Sequence, residues 1–448
     1  MTDHQRHYDK PGLSSRQAAS KLLSAIIDKK TSMDGLLDLK GGNPAYLDLT
    51  DQDRLLVKAI LLSTLRNYQI IEKFLDHLLE KPLPSGAVSL RHILRIGAAQ
   101  ILYLDVPDHS AVDLAVEQAN IDPRNRRFAN LVNAILRRMA REKDKMLPKL
   151  GVKTAMLPDW YAKKLSKSYG FNRARGMMAL MSKPAPIDIT VKSDADAWAE
   201  KLGGTKLTDW SIRLDKLEGP LQSLQGFDDG DWWVQDVAAS LPARLFGDLK
   251  GKRVIDLCAA PGGKTAQLIL AGADVTALDR SKSRLNRLNE NLERLKLSAH
   301  TEISRMEKYE TEDLFDMALL DAPCSSTGTI RRHPDVVWTK DADDIGYLSG
   351  VQKGLLEHAI TLVKPGGLIV FSNCSLEPDE GEEMVTQFVA DNSDEVELLP
   401  VDPHLCQGFE TAITDEGFVR TTPDFCINEN EELQGADGFF AAILLKKQ

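Results

Sequence analysis

From about Trp232 onward the chain alternates short apolar runs with amphipathic stretches, and this alternation restricts the fold more than any other feature. The spacing predicts strands at Arg253–Leu257, Asp274–Asp279, Phe315–Asp321 and 367–371. It predicts a helix beginning at 266–271, a second along the face of Leu285, Leu288, Leu292 and Leu295, and a third over 352–363. Strands buried on both faces read as continuous apolar runs because helices cover them above and below. Alternating elements of these lengths predict a parallel, doubly wound Rossmann-like α/β domain. In such sheets ligands bind beyond the carboxyl ends of the strands. The unusual motifs of this chain all fall there.

The first motif, DLCAAPGGKT at 256–265, follows the first strand. Its small residues let a ligand approach the backbone, its glycines permit positive φ, and the helix start behind it favours an anion. The Gly-Lys-Thr ending invites a triphosphate reading, but that loop needs a glycine five residues before Gly263, where Cys258 stands. A GxGxxG dinucleotide fingerprint is also missing. Asp279 ends the second strand, 23 residues after Asp256, where Rossmann-like domains place a carboxylate that accepts from ribose hydroxyls. A ribose-binding carboxylate, a carboxylate at the turn and no triphosphate loop point to S-adenosylmethionine.

Two cysteines stand at later strand ends. Cys324 lies three residues past Asp321 in DAPCSSTG, and Cys374 follows an apolar run in FSNCSLEPDEGE. A lone cysteine is usually a small core hydrophobe, but two at neighbouring strand ends beside a carboxylate suit covalent catalysis. C5 of a pyrimidine is a poor nucleophile. A thiolate added to C6 makes C5 enamine-like, able to attack a methyl sulfonium; loss of the C5 proton then expels the thiolate. Local charge must stabilise that thiolate, and a carboxylic group near N3 assists adduct formation. DNA cytosine methyltransferases draw their nucleophile from a Pro-Cys motif, here Cys324, so the residues alone leave either cysteine as nucleophile.

At 448 residues the chain has room for two or three cores. Its five cysteines include no CxxC and no Cys/His ligand cluster, which argues against a disulfide framework or a metal site. The opening MTDHQRHYDKPGLSSRQ has no apolar stretch, and no later apolar run approaches ~18 residues, so a cytoplasmic protein without membrane contact is expected. The net charge of −10 is unevenly spread. Residues 1–145 hold 22 Lys/Arg against 18 Asp/Glu, whereas 391–448 hold 3 against 13. Arg124, Arg126, Arg127, Arg137, Arg138, Arg141, Lys143 and Lys145 form a basic block compatible with RNA.

Residues 11–145 read as all-helical. Ala19, Leu22, Leu23, Ile26 and Ile27 fit the i, i+3, i+4 pattern, as do Ile70, Ile71, Phe74, Leu75 and Leu78, and Leu90, Ile93, Leu94, Gly97 and Ile101. Residues 146–235 form a mixed connecting segment with a predicted strand at Ile187–Val191, and 236–448 form the catalytic domain.

These residues resemble the RNA 5-methylcytosine methyltransferases of the Sun/NOL1 family. DLCAAPGGKT is similar to the family's cofactor turn, DAPCSSTGTIRRHPDVVW to its target motif and FSNCSLEPDEGE to its nucleophile motif. The segment ending in RRFANLVNAILRRM resembles the helical RNA-binding domain of the antitermination factor NusB. This fusion occurs among family members that act on 16S ribosomal RNA, so the resemblance implies that RNA, naked or in an early assembly intermediate, as substrate. It also implies Cys374 as nucleophile and Cys324 as the residue that releases product. Asp321 and Lys264 would position and polarise the cytosine. Cys258, Ala259, Ala260, Pro261, Gly262, Gly263 and Lys264 would hold the methionine end of S-adenosylmethionine, with Asp279 on its ribose and Asp321 beside it. Two departures stand out. Ser304 and Arg305 replace a Gly-Asp pair whose Asp contacts adenine, leaving that contact unassigned beside Glu302 and Glu307, and Asn373 stands where Thr is common.

Overall fold

The computed structural model describes residues 10–153, 157–214 and 219–448. The opening residues 1–9, on which part of the leader reading rests, lie outside them. The chain divides into two compact units, one reaching to Lys183 and also holding Arg332–Asp341, the other made of Pro184–Arg331 and Ala342–Gln448.

The first unit is helical. Its long helices are α1 (Leu13–Lys29), α2 (Asp51–Arg66), α3 (Tyr68–Leu78), α4 (Val88–Tyr103), α5 (Asp108–Ile121) and α6 (Ala129–Lys153), followed by α7 (Asp159–Tyr169) and α8 (Phe171–Met181). The periodic apolar residues bury as expected: Leu22, Leu23 and Ile26 of α1, Ile71, Phe74 and Leu75 of α3, and Leu90, Ile93 and Leu94 of α4 are all within two percent of full burial. Thr50 caps α2 by accepting from Asp53 N. The first part of the segment expected to connect the domains, through α8, belongs to this unit.

Arg332–Asp341 covers the last part of the DAPCSSTGTIRRHPDVVW segment and runs three residues past it, yet it packs with the helices. Trp338 tilts against Tyr68 with ring centroids 4.3 Å apart, and Asp335 Oδ2 accepts from Met33 N at 2.9 Å. Lys30 pairs with Asp341 at 2.6 Å, and Trp160 Nε1 donates to the Val337 carbonyl at 3.3 Å.

The second unit opens with a small sheet of order β2-β3-β1-β4, built from β1 (Ile187–Val191), β2 (Gly204–Thr208), β3 (Ser211–Leu214) and β4 (Trp232–Val234). The main sheet contains β5 (Arg253–Leu257), β6 (Asp274–Asp279), β7 (His300–Ile303), β8 (Phe315–Asp321), β9 (Val363–Asn373), β10 (Val396–Leu399), β11 (Val419–Thr421) and β12 (Phe439–Lys446). Its order is β10-β12-β9-β8-β5-β6-β7, with β11 on β12. The run β9-β8-β5-β6-β7 is parallel, as expected, whereas β12 lies antiparallel to β9, β10 and β11. Successive strand side chains point to opposite faces. Leu319 and Val370 therefore enter a core with Leu268, while Leu320 and Phe371 enter a second core with Leu355, Leu356 and Phe388.

Three boundaries differ from the sequence reading. The helix after the first strand, α9 (Gly263–Leu270), starts three residues sooner than expected. Its cap is Gly262 at φ 100°, and the Gly-Gly pair reads as loop by composition alone. Helix α10 (Lys282–Arg294) matches its apolar face. Helix α11 (Ala342–Leu362) begins ten residues before 352, because its first turns pack few apolar residues and carry no strong period. Strand β9 extends to both sides of 367–371.

Candidate active site

The parallel register sets the site. Leu257 lies opposite Leu278 and Leu320, Leu320 lies opposite Phe371, and Asp321 opposite Ser372. The strand ends are therefore level. The turn after β5, Asp321 of β8 and Cys374 just past β9 leave the sheet along one edge.

The turn Cys258, Ala259, Ala260, Pro261, Gly262, Gly263, Lys264 folds tightly into α9. Cys258 (φ 63°) and Gly262 (φ 100°) are left-handed, and no side chain caps the first turn of the helix. Asp256 beneath it is fully buried; its Oδ2 accepts from Thr265 Oγ1 at 2.6 Å, while Oδ1 has no partner among the described residues. Burial, opposed by the Thr265 hydrogen bond, pushes the Asp256 carboxyl up to about 7. Asp279 is 2% exposed and accepts from Ser281 N at 2.9 Å, with the Arg284 guanidinium 3.5 Å away. Arg284 also donates to the Ala260 carbonyl at 2.6 Å, so it links turn to carboxylate, though half its side chain is open to solvent. The acceptor set suits a cationic, ribose-bearing ligand: one orphaned carboxylate oxygen and a second buried carboxylate stand at one edge. The cation of the turn does not serve phosphate here, since Lys264 Nζ is held by Asp321 Oδ2 at 2.7 Å. These residues fit S-adenosylmethionine.

Across the edge, Cys324 Sγ and Cys374 Sγ are 3.5 Å apart, and Asp321 Oδ1 accepts from Ser372 Oγ at 3.1 Å. The thiols are not equivalent. The hydrogen bond from Cys324, with help from Ser326 and the Lys264 charge, holds the Cys374 thiol below its ordinary value against burial and Asp321. The same hydrogen bond, burial and the Glu380 charge drive Cys324 well above its ordinary value.

Gly328 locks this edge to the C-terminal strand. Its N–H donates to the Cys374 carbonyl at 2.9 Å and its carbonyl accepts from Gly438 N at 2.9 Å. A Cβ on Gly328 would lie 1.9 Å from the Gly438 oxygen, which is backbone and cannot swing aside. Gly328→Ala is expected to destabilise the domain by about 1–3 kcal/mol, the range of core overpacking, and to depress methyl transfer beyond that loss. Thermal unfolding beside initial rates checks this; an unchanged midpoint and rate would remove the steric argument.

Sequence reasoning noted Asn373 only as a departure and missed the other polar residues that carry the cysteine loops. Asn373 Nδ2 donates to Gln352 Oε1 at 3.2 Å and to the Glu380 carbonyl at 2.7 Å, and its Oδ1 accepts from Ser375 N at 3.0 Å. An amide can fill all three contacts, which gives Asn a structural reason to stand where Thr is common. Arg420 of β11 donates to the Ser375 carbonyl and pairs bidentately with Glu382 at 2.7 and 2.6 Å. Nothing in the local sequence marked Arg420, because its partners lie 38 and 45 residues away. At β7 and just past it, Arg305 pairs with Glu307 at 3.3 Å and Glu302 with His300 at 3.1 Å, all four on the surface. Neither carboxylate is buried as Asp279 is.

In the helical unit the basic block is partly neutralised. Lys143 is held by Asp108 at 2.9 Å, Arg138 by Glu142 at 2.7 Å and Arg124 by Asp122 at 3.1 Å, while Arg126, Arg127, Arg137, Arg141 and Lys145 remain exposed. Among the described residues no cluster of three His, Cys, Asp or Glu side chains stands ready for a metal, and no helix is long and apolar enough to cross a membrane.

Residues 246–445 match a family model described as 16S rRNA methyltransferase RsmB/F, and 13–141 match the NusB family. The chain is 32% identical to a Ribosomal RNA small subunit methyltransferase B of Pasteurella multocida, over 97% of this chain and 96% of the relative. It is 29% identical to the protein of that name from Cronobacter sakazakii, over 98% of this chain and all of the relative. Among solved structures, PH0851 shares the fold across 98% of this chain and 99% of its own, with a TM-score of 0.69 at 21% identity. A methyltransferase homolog from Pyrococcus horikoshii is 29% identical, with a TM-score of 0.52 over 64% of this chain and 94% of that one.

Proposed function

We propose that this chain, which belongs to the RsmB/F family of 16S rRNA methyltransferases, methylates C5 of a cytosine in that RNA through a covalent bond to Cys374. The observation that carries this reading is the 3.5 Å contact between two strand-end thiols beside the Lys264–Asp321 pair. S-adenosylmethionine, bound between the turn and Asp279, supplies an electrophilic methyl group. The Cys374 thiolate adds to C6, and the paired Lys264 and Asp321 hold the N3 and exocyclic edge of the ring while charge develops there. C5 then takes the methyl group. Loss of the C5 proton to a base then breaks the Cys374–C6 bond, both electrons of which return to sulfur, and Cys324 is the residue that this release requires.

The test is methylation of 16S ribosomal RNA stripped of protein, with label from the cofactor and bisulfite mapping of the product. A single 5-methylcytosine is expected. Label on an exocyclic nitrogen would overturn the reading, since that chemistry needs neither thiol. Calorimetry with the cofactor alone is expected to show saturable binding; none at millimolar concentration would favour a non-catalytic RNA-binding scaffold.

We further infer that the exposed arginines of the helical unit contribute much of the RNA affinity. The salt slope falls by about 0.7 to 0.9 for every phosphate that the protein no longer neutralises. Replacing Arg126, Arg127, Arg137 and Arg141 together by Glu is expected to weaken binding by at least tenfold and flatten that slope. Unchanged affinity and slope would move the RNA surface elsewhere. Looped or single-stranded RNA is the expected form, because its bases can be splayed into a pocket.

A further inference from the structure

One buried carboxylate joins the two cysteine loops. Glu380 follows Cys374 by six residues and its side chain is fully shielded from solvent. Its Oε1 accepts from Ser325 N at 2.8 Å and from Gln352 Nε2 at 2.9 Å. Its Oε2 accepts from Ser375 Oγ at 2.5 Å and from Ser325 Oγ. Ser325 is the residue after Cys324, and Ser375 is the residue after Cys374. The two hydroxyls also meet each other at 3.1 Å, and both meet Thr327 Oγ1, at 3.4 and 3.3 Å. All four groups on the carboxylate are donors, which matches the acceptor capacity of one carboxylate and leaves no lone-pair direction unmet.

We propose that Glu380 is a positioning residue for both catalytic thiols, setting the Cys324 loop against the Cys374 loop at the separation the two-step chemistry needs. It touches no substrate; it acts through Ser325 and Ser375. Two loops from different strand ends have no covalent reason to keep a 3.5 Å gap between their sulfurs, and Glu380 binds the neighbours of both with the shortest contacts. Gln352 and the Asn373 amide buttress it from α11 and from the end of β9. Burial raises the Glu380 carboxyl above its ordinary value, and the hydrogen bonds from Ser325, Ser375 and Gln352 oppose that shift. The inference rests on the two-thiol reading of the reaction.

The discriminating variant is Glu380→Gln, nearly identical in shape. Its amide oxygen keeps Ser325 N and Gln352, but its NH2 faces two hydroxyls that were donating. A misplacement of the reacting groups on the order of 1 Å costs about 100-fold. For Glu380→Gln, kcat is expected to fall by at least roughly tenfold, with KM for RNA and cofactor within about twofold of the parent. Glu380→Asp, which keeps the charge on a shorter arm, is expected to recover part of that loss. A kcat for the Gln variant within about twofold of the parent would overturn the proposal. So would a loss in kcat matched by KM and equal in the Gln and Asp variants, which is what general loosening of the fold produces.

Two single hydroxyl deletions carry the test independently if the Gln variant does not fold. Ser375→Ala is expected to slow formation of the covalent protein–RNA species, and Ser325→Ala to slow its resolution so that the species accumulates. Identical effects from the two would overturn the proposal. The parent reading fails separately, by Cys324→Ala and Cys374→Ala giving no adduct, and that result leaves the Glu380 rate comparison standing.

Discussion

Cys374→Ala is expected to abolish both methyl transfer and the covalent protein–RNA species, whereas Cys324→Ala is expected to accumulate that species and turn over poorly. The asymmetry follows from the two roles proposed for thiols 3.5 Å apart, attack by one and release by the other; their contact shifts the Cys374 thiol down and the Cys324 thiol up. Removing a nucleophile that acts as part of a unit typically costs on the order of 10⁴-fold or more. With Cys374 intact, attack on C6 and methyl transfer proceed, but the residue that release requires is gone and the thioether persists. Both variants incubated with RNA and cofactor, then separated on a denaturing gel, read this directly. An adduct from Cys374→Ala and none from Cys324→Ala would exchange the two roles. Adducts from neither would remove the covalent mechanism.

The second large effect belongs to the Lys264–Asp321 pair, 2.7 Å apart, with Lys264 almost enclosed beside the Phe439 ring. Asp321→Asn leaves a buried ammonium without its counter-charge, and Lys264→Met leaves the carboxylate without its partner. Either change is expected to lower kcat by about 10²–10³, the usual consequence of deleting one preorganised polar group at a site of developing charge. If the two residues act as one device, the double variant costs little more than the worse single one. Single-turnover rates at saturating cofactor test this. Fully additive losses would mean that the pair does not work as a unit.

Much of this arrangement was legible in the sequence, and the reasons differ by element. Four of the five parallel strands were readable because burial on both faces forces apolar runs, as in RVIDL and the Phe315–Asp321 segment, whereas β7 at the sheet edge is short, nowhere fully buried and was not predicted. The helical unit was readable because its cores demand a 3.6-residue period, and residues such as Phe74 and Leu94 sit where that period puts them. The cysteines and the glycine turn were visible as chemistry out of place in a core. The antiparallel β12 was not foreseen, because FFAAILLK carries no mark of direction and finds its partners far along the chain. Nor were Glu380, Gln352, Arg284 and Arg420, whose importance lies wholly in tertiary hydrogen bonds. A buried carboxylate with four donors looks, in sequence, like one more acid in an acidic stretch.

The excursion Arg332–Asp341 changes how this protein can be taken apart. Arg332 comes only eight positions after Cys324, and there the chain enters the helical unit and seats Trp338 on Tyr68. The segment that bears the second thiol is thus a strap with one end in each unit. A truncation that discards the residues up to Lys183 would strip Arg332–Asp341 of its packing and uncover the Trp338 indole. Lost activity in such a fragment would say nothing about RNA affinity. The fusion is therefore not modular in the way its boundary suggests, and the contribution of the helices to substrate capture has to be measured by surface charge changes in the intact chain.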